Sequence, residues 1–197
     1  MARAIILAGP SGAGKSRLAS RLGMPILRLD DFYKDADDAS LPRIVHGPNH
    51  GIVDWDHPDS WLPGDAVATL TALCHDGRAD VPVYDIPTSA RTGHRELDLH
   101  GADLFVAEGI FAADIVEACR AAGILAGAYC VTQSPVVTFW RRLARDLRER
   151  RKAPTVLVKR GWALMRAQGR VVADAEAKGC TVVTPKQGFD AITSLQR

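Results

Sequence analysis

Short unbroken apolar runs alternate with segments of helical spacing along this chain. Ala4-Ile5-Ile6-Leu7-Ala8 has the length of a buried strand, and Leu18 and Leu22 in the segment that follows stand one helical repeat apart. Pro25-Ile26-Leu27-Arg28-Leu29 predicts a second short strand that stops at Asp30-Asp31-Phe32-Tyr33. Residues 34 to 58 are rich in Asp, Pro, Gly and His and have no sustained period, which predicts a long loop open to ordering by a ligand. Between Asp65 and Cys74, the positions Val67, Leu70, Leu73 and Cys74 make one face of a helix, closed by Asp76-Gly77.

The period then changes to two. Val81-Pro82-Val83-Tyr84-Asp85 and Arg95-Glu96-Leu97-Asp98-Leu99 bracket a turn-rich stretch, predicting a hairpin outside the central sheet because Pro82 has no N–H to give to a ladder. Leu104 to Gly109 reads as a central strand ending in an acid. A helix near 112–122 and a strand near 126–131 continue the alternation. Val136, Trp140, Leu143 and Leu147 mark the packed stripe of a helix within 135–152, and Val158, Trp162 and Met165 that of another beyond Pro154. The strand Cys180–Val183 and a short helix over 187–196 finish the chain, with Thr184-Pro185-Lys186 between them. Strand and helix in such alternation predict an α/β fold, a parallel sheet with helices on both faces.

Length and charge narrow this picture. The 197 residues suit one domain with one core, the hairpin at about 80–100 and the helix at about 135–155 being insertions. With 25 Lys and Arg against 23 Asp and Glu, the net charge of +2 gives no global attraction to a polyanion, so no nucleic-acid partner is expected. The positive charge is nevertheless local: residues 135–152 carry seven basic side chains and two acidic ones, leaving the remainder net negative. Cys74, Cys119, Cys130 and Cys180 are widely spaced without a C-x-x-C pair, as expected of reduced, buried thiols. No apolar run approaches the ~18 residues of a membrane span, so a cytoplasmic protein without a membrane partner is expected.

The chemistry starts at Gly9-Pro10-Ser11-Gly12-Ala13-Gly14-Lys15-Ser16, which fits G-x-x-x-x-G-K-[ST] between a strand and a helix. Its glycines let backbone N–H groups turn toward phosphate oxygens at a helix N-terminus. Lys15 then reaches the β- and γ-phosphates of a nucleoside triphosphate, and Ser16 completes a Mg²⁺ sphere made largely of water and phosphate. In a parallel sheet, ligands bind beyond the C-terminal ends of the strands, where Asp30, Asp31 and Glu108 all fall. One of the aspartates there can serve as a general base, and Glu108 can order Mg²⁺ or its waters. Asp54-Trp55-Asp56-His57-Pro58-Asp59-Ser60-Trp61 offers carboxylates for sugar hydroxyls, or else the start of a helix capped by Asp59 with Trp55 and Trp61 packed. His46 and His50 are i,i+4, but Gly47-Pro48 between them argues against the helix that a metal pair would need. The arginine-rich helix is either a solvated face or a lid that closes over phosphates.

Together these segments resemble the uridine kinase family of P-loop nucleoside kinases, from the first strand to about Arg151. The resemblance is carried by the phosphate loop, Asp30-Asp31-Phe32-Tyr33, Asp54 to Asp59, Pro82-Val83-Tyr84-Asp85 with Arg91, Glu108-Gly109-Ile110 and Arg141-Arg142-Leu143-Ala144-Arg145-Asp146, in the family's order. It implies a P-loop NTPase-type core, a small hairpin beside the acceptor and an arginine-bearing lid. By position it implies Asp30 as the catalytic carboxylate, Asp56 as the ribose ligand, and Tyr84 and Arg91 in the nucleoside pocket. Arg142 and Arg145 match lid arginines that meet phosphates, and Glu108 the acid near Mg²⁺. Pyrimidine-recognising members usually carry an aromatic residue where this chain has Ile86 and a histidine where it has Ser89, and Arg150-Arg151-Lys152 replaces the usual R-G-R. The expected reaction is Mg²⁺-dependent transfer from ATP or GTP to the 5′-hydroxyl of a nucleoside, uridine or cytidine first. The alternatives are a different nucleoside, a vitamin-like or sugar-like alcohol as acceptor, and, further off, a nucleotide-dependent switch or an RNA-binding module.

Overall fold

The apolar run near the N-terminus becomes the middle of the sheet. β1 (Arg3–Ala8) pairs in parallel with β5 (Leu104–Glu108) on one side and with β6 (Leu125–Val131) on the other. β2 (Ile26–Arg28) lies outside β5 and β7 (Thr181–Val183) outside β6, giving the all-parallel order β2-β5-β1-β6-β7. In this computed structural model the backbone is described for residues 1–46, 50–148 and 154–196, with side chains for all of these except 142, 145–148 and 154–164.

Alternate residues of each central strand enter two separate cores, which is why these strands read as continuous apolar runs. Ala4 and Ile6 of β1, Phe105 and Ala107 of β5 and Cys130 of β6 face α2 (Pro63–Asp76), α3 (Val116–Ala121) and the C-terminal part of α5 (Pro154–Ala177). Leu70, Leu73, Val116, Cys119 and Ala175 supply the helical side of that layer. On the other face, Ile5, Leu7, Val106 and Val131 meet Leu18 and Leu22 of α1 (Lys15–Leu22) and Ile192 of α6 (Pro185–Ser194). The covered parallel sheet is therefore as the apolar pattern predicts.

Several boundaries differ from the expectation, each for a local reason. β2 is short because Leu29–Phe32 turns into a 3₁₀ segment, and residues 112–115 do the same ahead of α3. The final helix begins at Pro185 rather than at Gln187. Thr184 caps it, its hydroxyl accepting from the Gln187 N–H while the Gln187 side chain accepts from the Thr184 N–H, and Pro185 occupies the first turn. The hairpin is a separate two-stranded sheet of β3 (Arg78–Asp85) and β4 (Ala90–Asp98). β4 reaches closer to the turn than the period-two segment Arg95–Leu99 suggests, because it is largely solvent-facing and needs no apolar alternation, whereas β3 ends at Asp85 as expected and starts earlier, at Arg78.

The helix α4 (Pro135–Arg148) departs further. Leu143 is buried as expected, but Val136 and Trp140 of the predicted packed stripe are 55% and 62% exposed, while Thr138 is buried. α5 is its principal neighbour, so one helix rather than a sheet covers it and much of its apolar surface stays outside. Leu147, Val158 and Trp162 lie outside the residues with described side chains.

Among the described residues no helix is long and apolar enough to cross a membrane. All four cysteines are free and buried, and burial pushes the thiols of Cys74, Cys119 and Cys180 up to about 11. Native protein is accordingly expected to react with a thiol-specific disulfide reagent only slowly at neutral pH, and unfolded protein to release all four equivalents at once; rapid reaction of the folded protein would contradict this packing.

Candidate active site

Parallel pairing brings the C-terminal ends of β1, β2, β5 and β6 to one edge, and the candidate residues gather there. β1 ends at Ala8, and the chain turns at once through Gly9, whose φ is +129°. A Cβ on Gly9 would stand 2.3 Å from the carbonyl oxygen of Val131, so only glycine both adopts this conformation and clears β6. Gly9 to Gly14 then forms a loop that delivers the chain to the start of α1, whose N-cap is Gly14 at φ +104°.

Lys15, the first residue of α1, is only 7% exposed and donates from Nζ to the carbonyl of Gly9 at 2.7 Å. Glu108, at the end of β5, is 8% exposed. Burial pushes its carboxyl above the ordinary range; the Lys15 ammonium opposes this, the Asp30 carboxylate adds to it and a hydrogen bond from the Ser16 hydroxyl opposes it. Lys15, Ser16, Asp30 and Glu108 thus form one electrostatic neighbourhood.

The two aspartates after β2 are divided in their tasks. Asp30 Oδ1 accepts from the N–H of Ile110 at 3.1 Å, which holds its carboxylate against the end of β5. A Cβ on Gly109 would stand 3.0 Å from that same Oδ1 and 2.8 Å from Leu29 Cβ, so the approach depends on glycine. Asp31 points elsewhere: burial raises its carboxyl, Arg28 and Arg95 counter this, and the backbone N–H of Tyr84 donates to it. Asp31 therefore ties the hairpin to the sheet, while Asp30 faces the phosphate loop's neighbourhood.

On the hairpin side, the Tyr84 hydroxyl donates to the carbonyl of Lys34 at 3.1 Å. The backbone N–H of Arg91 donates to Asp35 at 2.7 Å, and its guanidinium meets the same carboxylate at 3.0 Å. Ile86 lies half-exposed at the hairpin's tip and Ser89 there takes φ +51°. Asp56 is exposed in the loop before the 3₁₀ turn Pro58–Ser60, its N–H donating to Asp54 at 3.2 Å. That turn is capped by His57, whose Nδ1 accepts from the Asp59 N–H, so Asp59 is not the cap; Trp61 is packed, with Nε1 donating to the carbonyl of Leu29 at 2.7 Å. Arg142 and Arg145 lie on α4 with side chains outside the described residues.

Three features escaped the sequence reading. Tyr33 stands at the centre of an aromatic group, its ring 5.8 Å from those of Trp55 and Tyr84 and 5.9 Å from Phe111. Gln133, just past β6, donates from Nε2 to the carbonyl of Ala13 in the phosphate loop at 3.1 Å. Arg141, the arginine of α4 whose side chain is described, has its Nη1 3.6 Å from where a Cβ on Gly14 of this loop would stand. The run of arginines carries no mark of which one helical phase turns inward.

No protein-family model matches the chain. A uridine kinase of Leuconostoc citreum is 23% identical over 195 residues, covering 94% of this chain and 88% of that protein. A uridine kinase of Lactobacillus helveticus is 26% identical over 155 residues, covering 73% and 67%. This chain is a homologue of uridine kinases. Among solved structures, a candidate fructose transport system kinase from a Silicibacter species superimposes with a TM-score of 0.60 at 20% identity, covering 93% of this chain and 89% of that one. At that identity the likeness speaks for the fold, an α/β sheet of the P-loop kinase type.

Two outcomes follow from the geometry. Gly109→Ala is expected to destabilise the protein by about 1–3 kcal/mol through the enforced contacts with Leu29 and Asp30, read as a lower midpoint in denaturant; an unchanged midpoint would mean that Asp30 is not held as described. Asp35 is held below its ordinary value of 3.8 by the Arg91 side-chain and backbone hydrogen bonds. The native state then binds fewer protons than the unfolded chain below that value, so this contribution is present above pH 3.8 and is lost as pH falls through the folded value. Asp35→Asn should cost under about 1 kcal/mol at neutral pH, since the pair is partly exposed, and its difference from wild type should shrink on acidification.

Proposed function

We propose that the chain is a kinase that transfers a phosphoryl group from ATP or GTP to the 5′-hydroxyl of a nucleoside, with uridine and cytidine the first acceptors to test. The observation that carries this reading is the convergence of Lys15, Ser16, Glu108 and Asp30 at the ends of β1, β5 and β2. Homology to uridine kinases supports it. The loop amides and Lys15 bind the donor's phosphates, and Lys15 exchanges the carbonyl of Gly9 for an anionic oxygen. The Ser16 hydroxyl and the Glu108 carboxylate, already within hydrogen-bond reach of each other, are the hard oxygen donors that suit Mg²⁺. When bound, Mg²⁺ neutralises charge on the β- and γ-phosphates. Asp30 accepts the acceptor hydroxyl's proton, or orients its lone pair, from a position fixed by the Ile110 N–H. Arg142 and Arg145 close over the phosphates and exclude water, so that the phosphoryl group passes to the alcohol.

Asp56, Tyr84, Ile86, Ser89 and Arg91 form the acceptor side in this reading. A sugar-like alcohol is the second reading, and the hairpin favours it. Tyr84 and Arg91 already spend polar groups on Lys34 and Asp35, while Ile86 and Ser89 offer neither an aromatic face nor an imidazole to a base. The fold also matches a protein described as a candidate fructose transport system kinase.

A coupled ADP-release screen over nucleosides, sugars and related alcohols distinguishes the two readings, and silence across the panel would remove both. Asp30→Asn should retain nucleotide binding while turnover falls by about 10²–10⁴-fold; near-normal turnover would take Asp30 out of the mechanism. Lys15→Ala should lose affinity for the triphosphate together with turnover, whereas damage confined to acceptor affinity would mean that the phosphate loop is misassigned.

A further inference from the structure

The surroundings of Gly14 point to a donor-side residue that the resemblance does not assign. A Cβ on Gly14 would lie 3.5 Å from Gln133 Nε2, 3.6 Å from Arg141 Nη1 and 3.8 Å from Pro185 Cγ. Side chains from the end of β6, from α4 and from the start of α6 therefore meet over the last residue of the phosphate loop.

Their placement is anchored. Gln133 is pinned on both sides, its Nε2 donating to the carbonyl of Ala13 and its own carbonyl accepting from Gln168 Nε2 of α5 at 2.6 Å. Gln168 is 4% exposed, so this strut is internal. α4 begins at Pro135, two residues beyond the pinned position, and Thr138 in its first turn is buried with its hydroxyl donating to Ser134. Arg141 stands less than one turn further, on a helix whose base is tied to the loop itself.

Among the described residues, positive charge prevails at this point. α1 starts with no side-chain cap at Gly14 and with no acidic residue in its first turn, so its positive end is uncompensated. Lys15 has Glu108 nearby. Arg141 has no carboxylate in ion-pair distance among the described residues, and its guanidinium nevertheless lies beside that helix end. Two positive groups held side by side repel unless an anion comes between them.

We infer that Arg141 is a ligand of the donor nucleotide's phosphates, engaging them before any acceptor binds. The inference rests on the kinase reading of the phosphate loop. It gives Arg141 a role separate from lid closure, because its guanidinium reaches the loop in the structure as it stands, with a planar fork suited to phosphate oxygens.

The test measures dissociation constants by calorimetry without acceptor, using Mg·ADP, tripolyphosphate and adenosine as probes. Arg141→Ala should weaken Mg·ADP and tripolyphosphate about ten- to a hundredfold and leave adenosine unchanged. Arg170→Ala, on the exposed surface of α5, should leave all three unchanged, and thermal unfolding checks that each variant is folded. Equal Mg·ADP affinity for wild type and Arg141→Ala would overturn the role of Arg141 while leaving the kinase reading intact. Failure of the wild type to bind Mg·ADP or Mg·ATP at all would instead remove the reading on which the inference rests. A loss that adenosine shares equally would make Arg141 a contact of the base or ribose, and that too would overturn the phosphate assignment.

Discussion

The pairing of β1 with β5 and β6 on both sides is the constraint on which the candidate site depends. Its backbone groups are spent in the sheet and its side chains in two cores, so the strand cannot shift without loss to both. Because β1 is held so firmly, the chain leaving it must turn within the space that β6 allows, and Gly9 against the Val131 carbonyl defines that space. The loop, the N-terminus of α1 and the buried Lys15 inherit their positions from this one crossing.

The same pairing sets the charges. Register places Glu108 beside Leu7 on one side and Arg28 on the other, so a carboxylate at a strand end is carried into the interior rather than into solvent. An isolated buried carboxylate would be costly, and the neighbouring ammonium and hydroxyl offset part of that cost. The consequence is a cluster of polar groups arranged in advance, which is what the proposed phosphoryl transfer requires of its electrostatic stabilisation.

The legible parts of this chain are those in which one residue type has one physical reason. Apolar runs with no alternation mark strands buried on both faces, and the glycines and lysine of the phosphate loop have few other uses in that order. Thr184 to Gln187 has the T-x-x-Q spacing of a capping box, a local signal that starts the last helix at Pro185, two residues before the expected Gln187. By contrast, nothing local separates Asp30 from Asp31. Their division follows from Gly109 and Ile110 on one side and from Tyr84 on the other, contacts across about fifty to eighty residues. The stripe on α4 misled because period indicates an apolar face without naming its partner, and α5 covers less of it than a sheet would.

The proposed acceptor side is built differently from the proposed donor side, and this bears on selectivity. The segment that carries Asp30 continues into Tyr33, Lys34, Asp35 and Ala36, and the hairpin is laced to that segment at each step. Tyr84 gives its N–H to Asp31 and its hydroxyl to the Lys34 carbonyl, Arg91 grips Asp35, and the Ala36 N–H donates to the carbonyl of Ser89. The wall of the proposed acceptor side and the proposed base are therefore one connected unit, whereas Ile86 stands at the tip with its side chain half in solvent. Substitution at the tip can change what the wall accepts while the ties that place Asp30 stay intact. A chain with a well-kept phosphate site can thereby differ from its homologues in acceptor alone, and residues 86 and 89 are where this chain departs from the pyrimidine pattern.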